Sequence, residues 1–242
     1  MHLLIDVGNS RLKWVAVIGE YDETSVTQYG LLAELEIYIQ SIDTAKTNVL
    51  LAAVNQTQEL VALLDSSGFQ SVISIISQSK QQGIENSYSQ PERMGVDRWL
   101  GMIAAYRLVA DGEGVIVVDA GSAMTIDVVN ELGLHLGGYI VPGLTMAKQA
   151  LFSNTEQVNR YNEPLLVEDV PTSDAMKLGN NTLQCVEYGV LNQMLTLVKQ
   201  VVEQFPDFKL IITGGDGELL AGFIPALVDK NLVLKGLWQV RK

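Results

Sequence analysis

HLLIDVGNSRLKWVAVIG (residues 2–19) holds two short apolar runs, 3–5 and 14–18, separated by the turn cluster DVGNS at 6–10. Strand, tight turn, strand is the natural reading, a β-hairpin rather than the opening of a βαβ unit. The same arrangement returns in VIVVDAGSAMTIDVV (115–129), where an apolar run is followed by Asp119-Ala120-Gly121-Ser122 and a second run near 125–129. One D-x-G turn is a weak signal, because Asp and Gly populate turns everywhere. Two of them, each opening a strand-rich half of similar length, point to a duplicated domain with a ligand between the halves. Two unrelated hairpins are the alternative.

Around these hairpins the periodicity supplies the other elements. Residues 31–42 have helical spacing, with Leu32, Leu35, Ile39 and Ile42 on one face. Residues 49–54 (VLLAAV) read as a buried strand, 58–64 as a helix closed by Ser66-Ser67-Gly68, and 72–76 as a strand. Residues 77–90 are polar and read as irregular. Pro91 is expected in the first turn of a long helix, favoured by Glu92 and carrying Trp99, Leu100, Ile103 and Leu108 on a broad apolar face. The break DGEG at 111–114 places the domain boundary, giving domains 1–111 and 112–242. In the second half, a third apolar run at 138–141 ends in Pro142-Gly143, and 146–152 reads as helix. Residues 153–181 are loop-rich, 182–204 a long amphipathic helix, and 210–213 a strand ending in Gly214-Gly215-Asp216.

Composition narrows the function. The net charge is −12, from 16 basic and 28 acidic residues, which offers no electrostatic footprint for nucleic acid or an anionic membrane. An anionic ligand must be met locally, by backbone N–H groups, a metal ion or single cationic side chains. The single cysteine, Cys185, excludes an internal disulfide framework, and two histidines, His2 and His135, leave no zinc-spaced cluster. They also make chemistry based on an imidazole unexpected. The start MHLLIDVGNS does not read as a signal peptide, and no apolar run is long enough for a membrane span. A cytoplasmic protein is expected.

The loops suit nucleotide phosphates. A glycine in a hairpin turn lets the backbone approach a polyphosphate and turn its N–H groups onto the oxygens. Asn9, Ser10 and Ser122 add short donors, and Lys13 a positive charge. An aspartate beside phosphate makes sense when a hard cation stands between them, so Asp6 is a candidate Mg²⁺ anchor acting through water. No G-x-x-x-x-G-K-[ST] or G-x-G-x-x-G fingerprint is present. Gly214-Gly215-Asp216 reads equally well as a loop beside an adenosine and as an ordinary glycine turn. GVDR at 95–98 contains a carboxylate, Asp97, able to take a hydroxyl proton, and a guanidinium, Arg98, able to hold an acceptor's carboxylate. A solvated ion pair at a helix start is the plainer reading of those two residues.

Taken together, DVGNSRLKW (6–14), GVDRW (95–99), DAGSAMT (119–125), GGYIVPG (137–143), NNT (180–182) and TGGD (213–216) resemble the type III pantothenate kinases, in order and spacing across nearly the whole chain. The resemblance implies an α/β protein of two ribonuclease-H-like, actin-like domains with mixed sheets flanked by helices, acting as a homodimer. It implies ATP-dependent phosphorylation of pantothenate at its terminal hydroxyl, the first step of coenzyme A synthesis. By the same resemblance Asp6, Val7, Gly8, Asn9, Ser10, Arg11, Leu12 and Lys13 form the first phosphate segment, and Ser122 touches ATP. Asp97 is the proton acceptor. Gly95, Val96, Asp97 and Arg98 bind pantothenate with Tyr88, and Thr182 completes the substrate contact across the dimer interface. Asp119 corresponds to the ligand of a monovalent cation, K⁺ or NH₄⁺, and Mg²⁺ accompanies ATP.

One departure is visible. The family usually has Thr where this chain has Ser122, which keeps the hydroxyl and loses a methyl. Another phosphotransferase or phosphatase of the superfamily would share Asp6 and Asp119 without needing GVDR beside Tyr88. A non-enzymatic role as a transcriptional accessory factor is the remaining alternative, although no basic patch supports direct DNA binding.

Overall fold

A computed structural model describes residues 1–8, 11–22, 25–53, 57–110, 112–154 and 177–241. The first hairpin, strands β1 (His2–Val7) and β2 (Leu12–Val17), pairs antiparallel, with Asp6 opposite Lys13. Around it lie β3 (Gln28–Gly30), helix α1 (Leu32–Gln40), β4 (Asn48–Ala53), α2 (Gln58–Ser66) and β5 (Ser71–Ser74). The sheet order is β3-β2-β1-β4-β5, with β2 antiparallel to both β1 and β3 and with β1, β4 and β5 parallel.

The pattern is then repeated. Strands β8 (Val115–Ala120), β9 (Ala123–Val129), β10 (His135–Pro142), β11 (Lys209–Thr213) and β12 (Leu227–Val228) form a sheet of order β10-β9-β8-β11-β12. Again β9 is antiparallel to β8, and β8, β11 and β12 run parallel. Third, second, first, fourth, fifth strand is the order of both sheets. The chain is thus two ribonuclease-H-like mixed sheets flanked by helices, the actin-like duplication.

The chain divides into two compact units. One comprises Met1–Leu108, Gly133–His135 and Asn231–Lys242, and the other Val109–Leu132 and Leu136–Lys230. This differs from the linear split at 111/112, whose Asp111 lies outside the described residues. The last helix, α7 (Leu232–Gln239), packs on β1, on β4 and on α3 (Val96–Leu108), all elements of the first unit. Its apolar face, with Leu232, Leu234 and Leu237 fully buried, is satisfied there.

Side chains alternate along a strand, so one unit-1 sheet face is built by Leu3, Ile5, Val49 and Leu51, against Leu35 and Ile39 of α1 and Leu60 and Leu64 of α2. Leu4 and Asp6 point to the opposite face, the side on which α3 and α7 lie. In the second unit, Ile116, Val118, Ile126 and Ile212 meet Leu191, Met194, Leu195 and Val198 of the long helix α5 (Thr182–Gln204). Asn181 caps that helix, its side chain accepting from the Gln184 N–H at 2.9 Å.

Two expected elements differ. Residues 77–90 contain a small hairpin, β6 (Lys80–Gln81) and β7 (Ile84–Glu85). Its two turn residues, Gln82 and Gly83, both have positive φ, 52° and 87°, as a tight hairpin of matching twist requires. The strands are too short and polar to register as alternation. Pro91 does not open the long helix. Pro91–Arg93 is a separate 3-10 turn, Met94 is extended, and α3 starts at Val96. The Met94 side chain is buried and its carbonyl accepts from the Ser77 hydroxyl at 2.9 Å, which holds the chain out of helical geometry there. Helix α3 is buried nearly all round from Arg98 to Ala105, while Leu108, expected on the apolar face, is 43% exposed.

Helices α4 (Leu144–Asn154) and α6 (Gly217–Ala221) complete the second unit. Most of the loop-rich stretch expected over 153–181 lies outside the described residues, as do Asn9, Ser10 and Val54.

Candidate active site

In the first unit, Asp6 sits one residue before the end of β1, buried at 8% exposure, with Lys13 Nζ 3.9 Å from its Oδ2. Val7 pairs with Leu12, and the Gly8 N–H donates to the Arg11 carbonyl at 3.1 Å, closing the turn. A Cβ on Gly8 would lie 3.1 Å from that same carbonyl oxygen, so the turn is tight and Gly8 fits it without strain. Lys13, expected to face phosphate, is thus also an ion partner of Asp6. At most modest stabilisation is expected of a pair at this distance.

The second group in that unit is assembled on α3. Asp97 lies in its first turn, where the positive end of the helix favours an anion. Its Oδ1 accepts from the Arg98 N–H at 2.8 Å and lies 2.5 Å from where a Gly95 Cβ would stand. Gly95 is therefore the residue that gives this carboxylate its place. Val96 is buried beneath it. Arg98 is 7% exposed, and its Nη1 donates to the Tyr88 hydroxyl at 2.8 Å, with the guanidinium 5.7 Å from the ring centre. A buried guanidinium needs partners, and Tyr88 supplies one. Tyr88 itself is held by a local turn, its N–H donating to Asn86 Oδ1 at 3.0 Å.

In the second unit three glycine segments converge. Asp119 occupies β8 opposite Thr125, and its Oδ1 lies 3.5 Å from the position of a Gly121 Cβ and 2.5 Å from that of a Gly214 Cβ. Gly214 has φ +92°, and a Cβ there would collide with the Ala120 carbonyl. A Cβ on Gly143 would collide with the Gly121 carbonyl oxygen and come within 2.7 Å of that of Ser122. Backbone hydrogen bonds bind the segments, from Gly143 to Ser122 at 2.9 Å and from Asp216 to Ala120 at 2.9 Å. The result is a carboxylate in a cradle of backbone, with room that any side chain would fill. Thr182 is the first residue of α5, also in this unit.

Three charged groups here have no role in the sequence reading. Asp216 is half-buried, and burial pushes its carboxyl above the ordinary 3.8, opposed by the positive charge of Lys148. Lys148 of α4 in turn meets Glu187 of α5 at 2.7 Å, with both side chains mostly buried. Asp216 ends the glycine turn at 214–216. Lys148 and Glu187 carried no motif and are paired only by helix packing.

A raised carboxyl costs stability when ionised. The folded state holds its proton more tightly than the unfolded chain, so Asp216 favours folding below 3.8 and loses that contribution as pH rises through its folded value. Without added nucleotide, Asp216→Asn is expected to melt above the parent at pH 7, the gap closing as pH falls toward 3.8. An unchanged melting temperature at pH 7 removes the burial argument.

A family model described as type III pantothenate kinase matches residues 2–204. The chain belongs to the type III pantothenate kinase family. A type III pantothenate kinase from Pseudoalteromonas translucida is 33% identical over 242 residues, covering 98% of this chain and 94% of the relative. One from Marinomonas sp. is 38% identical over 143 residues, which are 58% of this chain and 55% of that relative, so this alignment spans about half its length. Among solved structures, a Campylobacter jejuni protein assigned to the Baf family of transcriptional activators has a TM-score of 0.59 at 24% identity. The match covers 97% of this chain and 94% of that one, and it shows the fold alone. Within the type III pantothenate kinase family, the duplicated sheets and both turn aspartates are what this chain's own geometry displays.

Proposed function

We infer that this chain phosphorylates pantothenate with ATP, the first step of coenzyme A biosynthesis, in the cytoplasm. The observation that carries the reading is the start of α3, where a carboxylate and a buried guanidinium held by Tyr88 lie on adjacent residues. Pantothenate offers one group for each, a primary hydroxyl and a carboxylate. Asp97 takes the proton from the hydroxyl, and Arg98 holds the carboxylate, with Tyr88 setting the plane of the guanidinium. Gly95 and Val96 shape the floor beside Asp97.

The N–H of Gly8 and the N–H and hydroxyl donors that Asn9 and Ser10 carry by residue type suit phosphate oxygens, and in this reading the Ser122 hydroxyl touches ATP. Asp6, buried and acidic beside that turn, fits a divalent ion, and Mg²⁺ bound through water would neutralise phosphate charge there. Asp119, packed against the backbone at Gly121 and Gly214, fits a monovalent cation, K⁺ or NH₄⁺, which would supply positive charge to a −12 chain. Replacing K⁺ by Na⁺ is expected to lower turnover severalfold. A rate indifferent to the cation argues against Asp119 as its ligand.

The enzyme acts as a homodimer in this reading, with Thr182 contributing across the interface. Apolar side chains exposed on β10 and α4, Leu136, Tyr139, Ile140, Met146 and Leu151, support it. Light scattering of the purified protein measures this directly. Among the described residues, no helix is long and apolar enough to cross a membrane.

Incubation of purified protein with Mg-ATP, K⁺ and pantothenate, with phosphopantothenate measured, tests the reading. Turnover on another alcohol instead moves the chain to a different phosphotransferase of the superfamily. Inertness toward every acceptor favours an accessory role in transcription.

A further inference from the structure

His135 does not belong to the carboxylate and guanidinium set, yet the structure seats it behind that set. Its imidazole is 4% exposed at the first position of β10, and residues 133–135 group with the first unit rather than with the remainder of their strand. They are stitched there by backbone. The Glu85 N–H donates to the Gly133 carbonyl at 2.8 Å, Glu85 bridges Leu134, and Gly133 sits so close to the Gly83 carbonyl that a Cβ would collide with it.

This seat places the ring against the turn that carries Tyr88. Ser87 Oγ and His135 Nδ1 share a hydrogen bond of 2.9 Å, and the Tyr88 and His135 rings lie 6.2 Å apart, inclined by 31°. From Tyr88 the contact passes to Arg98 through the 2.8 Å hydrogen bond at the phenol oxygen. A tyrosine on a half-exposed turn has several rotamers, and a buried ring behind it with a hydrogen bond to the preceding residue selects one of them.

We propose that His135 is a positioning residue for the acceptor side of the reaction: through Ser87 and Tyr88 it fixes the guanidinium of Arg98 in the plane that receives the substrate carboxylate. The ring itself is buried and meets no substrate. The proposal rests on the reading of Arg98 as the carboxylate clamp.

The test pairs kinetics with a spectrum that needs no turnover. His135→Ala is expected to raise KM for pantothenate on the order of tenfold, the effect of losing one hydrogen bond and a ring contact, with kcat and the KM for ATP changed less than twofold. His135→Asn, whose amide can replace the Nδ1 partner of Ser87, recovers part of that loss, and Ser87→Ala shifts KM the same way by a smaller factor. In arginine-¹⁵N-labelled protein, the Arg98 guanidinium resonance, assigned by its loss in Arg98→Lys, is expected to broaden in His135→Ala as it does in Tyr88→Phe. An unchanged Arg98 resonance, or an unchanged KM for pantothenate, overturns the proposal. So does a parallel rise in both KM values with a lowered melting temperature that Asn does not rescue, which marks a merely structural role. A parent enzyme inert toward pantothenate sinks the functional reading instead, and the Arg98 resonance still decides the role of His135.

Discussion

Asp97→Asn is expected to slow pantothenate phosphorylation by about 10²–10⁴-fold, the range over which a positioned proton acceptor contributes. The geometry makes the substitution nearly isosteric. Asp97 Oδ1 accepts from the Arg98 N–H at 2.8 Å, and an asparagine oxygen can keep that bond while losing the basic oxygen. The start of α3 therefore stays formed, and ATP affinity is expected to change little. Titration of the variant with a nucleotide analogue, beside single-turnover rates, separates the two effects. Substantial residual turnover removes Asp97 from the role of general base. Gly95 belongs to the same argument, because a Cβ there would press on the very oxygen that Asp97 directs toward its neighbour's N–H.

Gly236→Ala is expected to damage the same helix from behind. Gly236 lies in α7, and a Cβ at its position would collide with the carbonyl oxygen and carbon of Leu100 in α3, with the Leu100 Cβ at 2.8 Å. The obstacle is helix backbone, two residues beyond Arg98, so it cannot swing aside as a flexible side chain would. Forcing the helices apart in a core where Leu100, Leu234 and Leu237 are fully buried is expected to cost about 2–3 kcal/mol. The melting temperature falls by several degrees, and KM for pantothenate rises because α3 carries Arg98. Gly189→Ala serves as the control. That glycine is exposed on α5 with open space around it, and Ala there is expected to stabilise the helix by about 0.5–1 kcal/mol. Equal stability of the Gly236→Ala protein and the parent would falsify the close packing of α7 on α3.

Much of this was legible in the chain. Strands β1, β2, β8 and β9 announce themselves because an apolar run on each side of D-x-G-[NS] has few other ways to fold. Residues 182–204 read as one long amphipathic helix, and α5 spans that range. Local signals of this kind survive because propensity, pattern and turn chemistry agree at each of them. The hairpin at Lys80–Gln81 and Ile84–Glu85 escaped because two-residue strands hold no period. The helix start at Val96 escaped because what displaces it from Pro91 is a hydrogen bond from Ser77, distant in sequence.

The candidate site divides in the same way. Asp6, Asp97, Arg98 and Asp119 stand in motifs whose residue types already suggest phosphate and proton chemistry, and the family resemblance assigns them an acceptor. His135 carries no such signal, since a lone histidine in a strand has no spacing to betray it. Its partners Ser87 and Tyr88 are far along the chain, and only a hairpin tip laid across them makes the set. The last twelve residues follow the same logic, for their linear position puts them in the second half while their buried face belongs to the first unit.

By itself, then, the sequence determined the duplicated hairpins, the family and the residue types available for chemistry, because those depend on contacts between near neighbours and on motif order. The tertiary structure decided which unit the C-terminal helix completes, which glycines have no room for a Cβ, and what stands behind Tyr88. Each of these rests on packing between segments far apart in the chain, where shape and hydrogen-bond geometry choose the partner and local pattern carries no record of it.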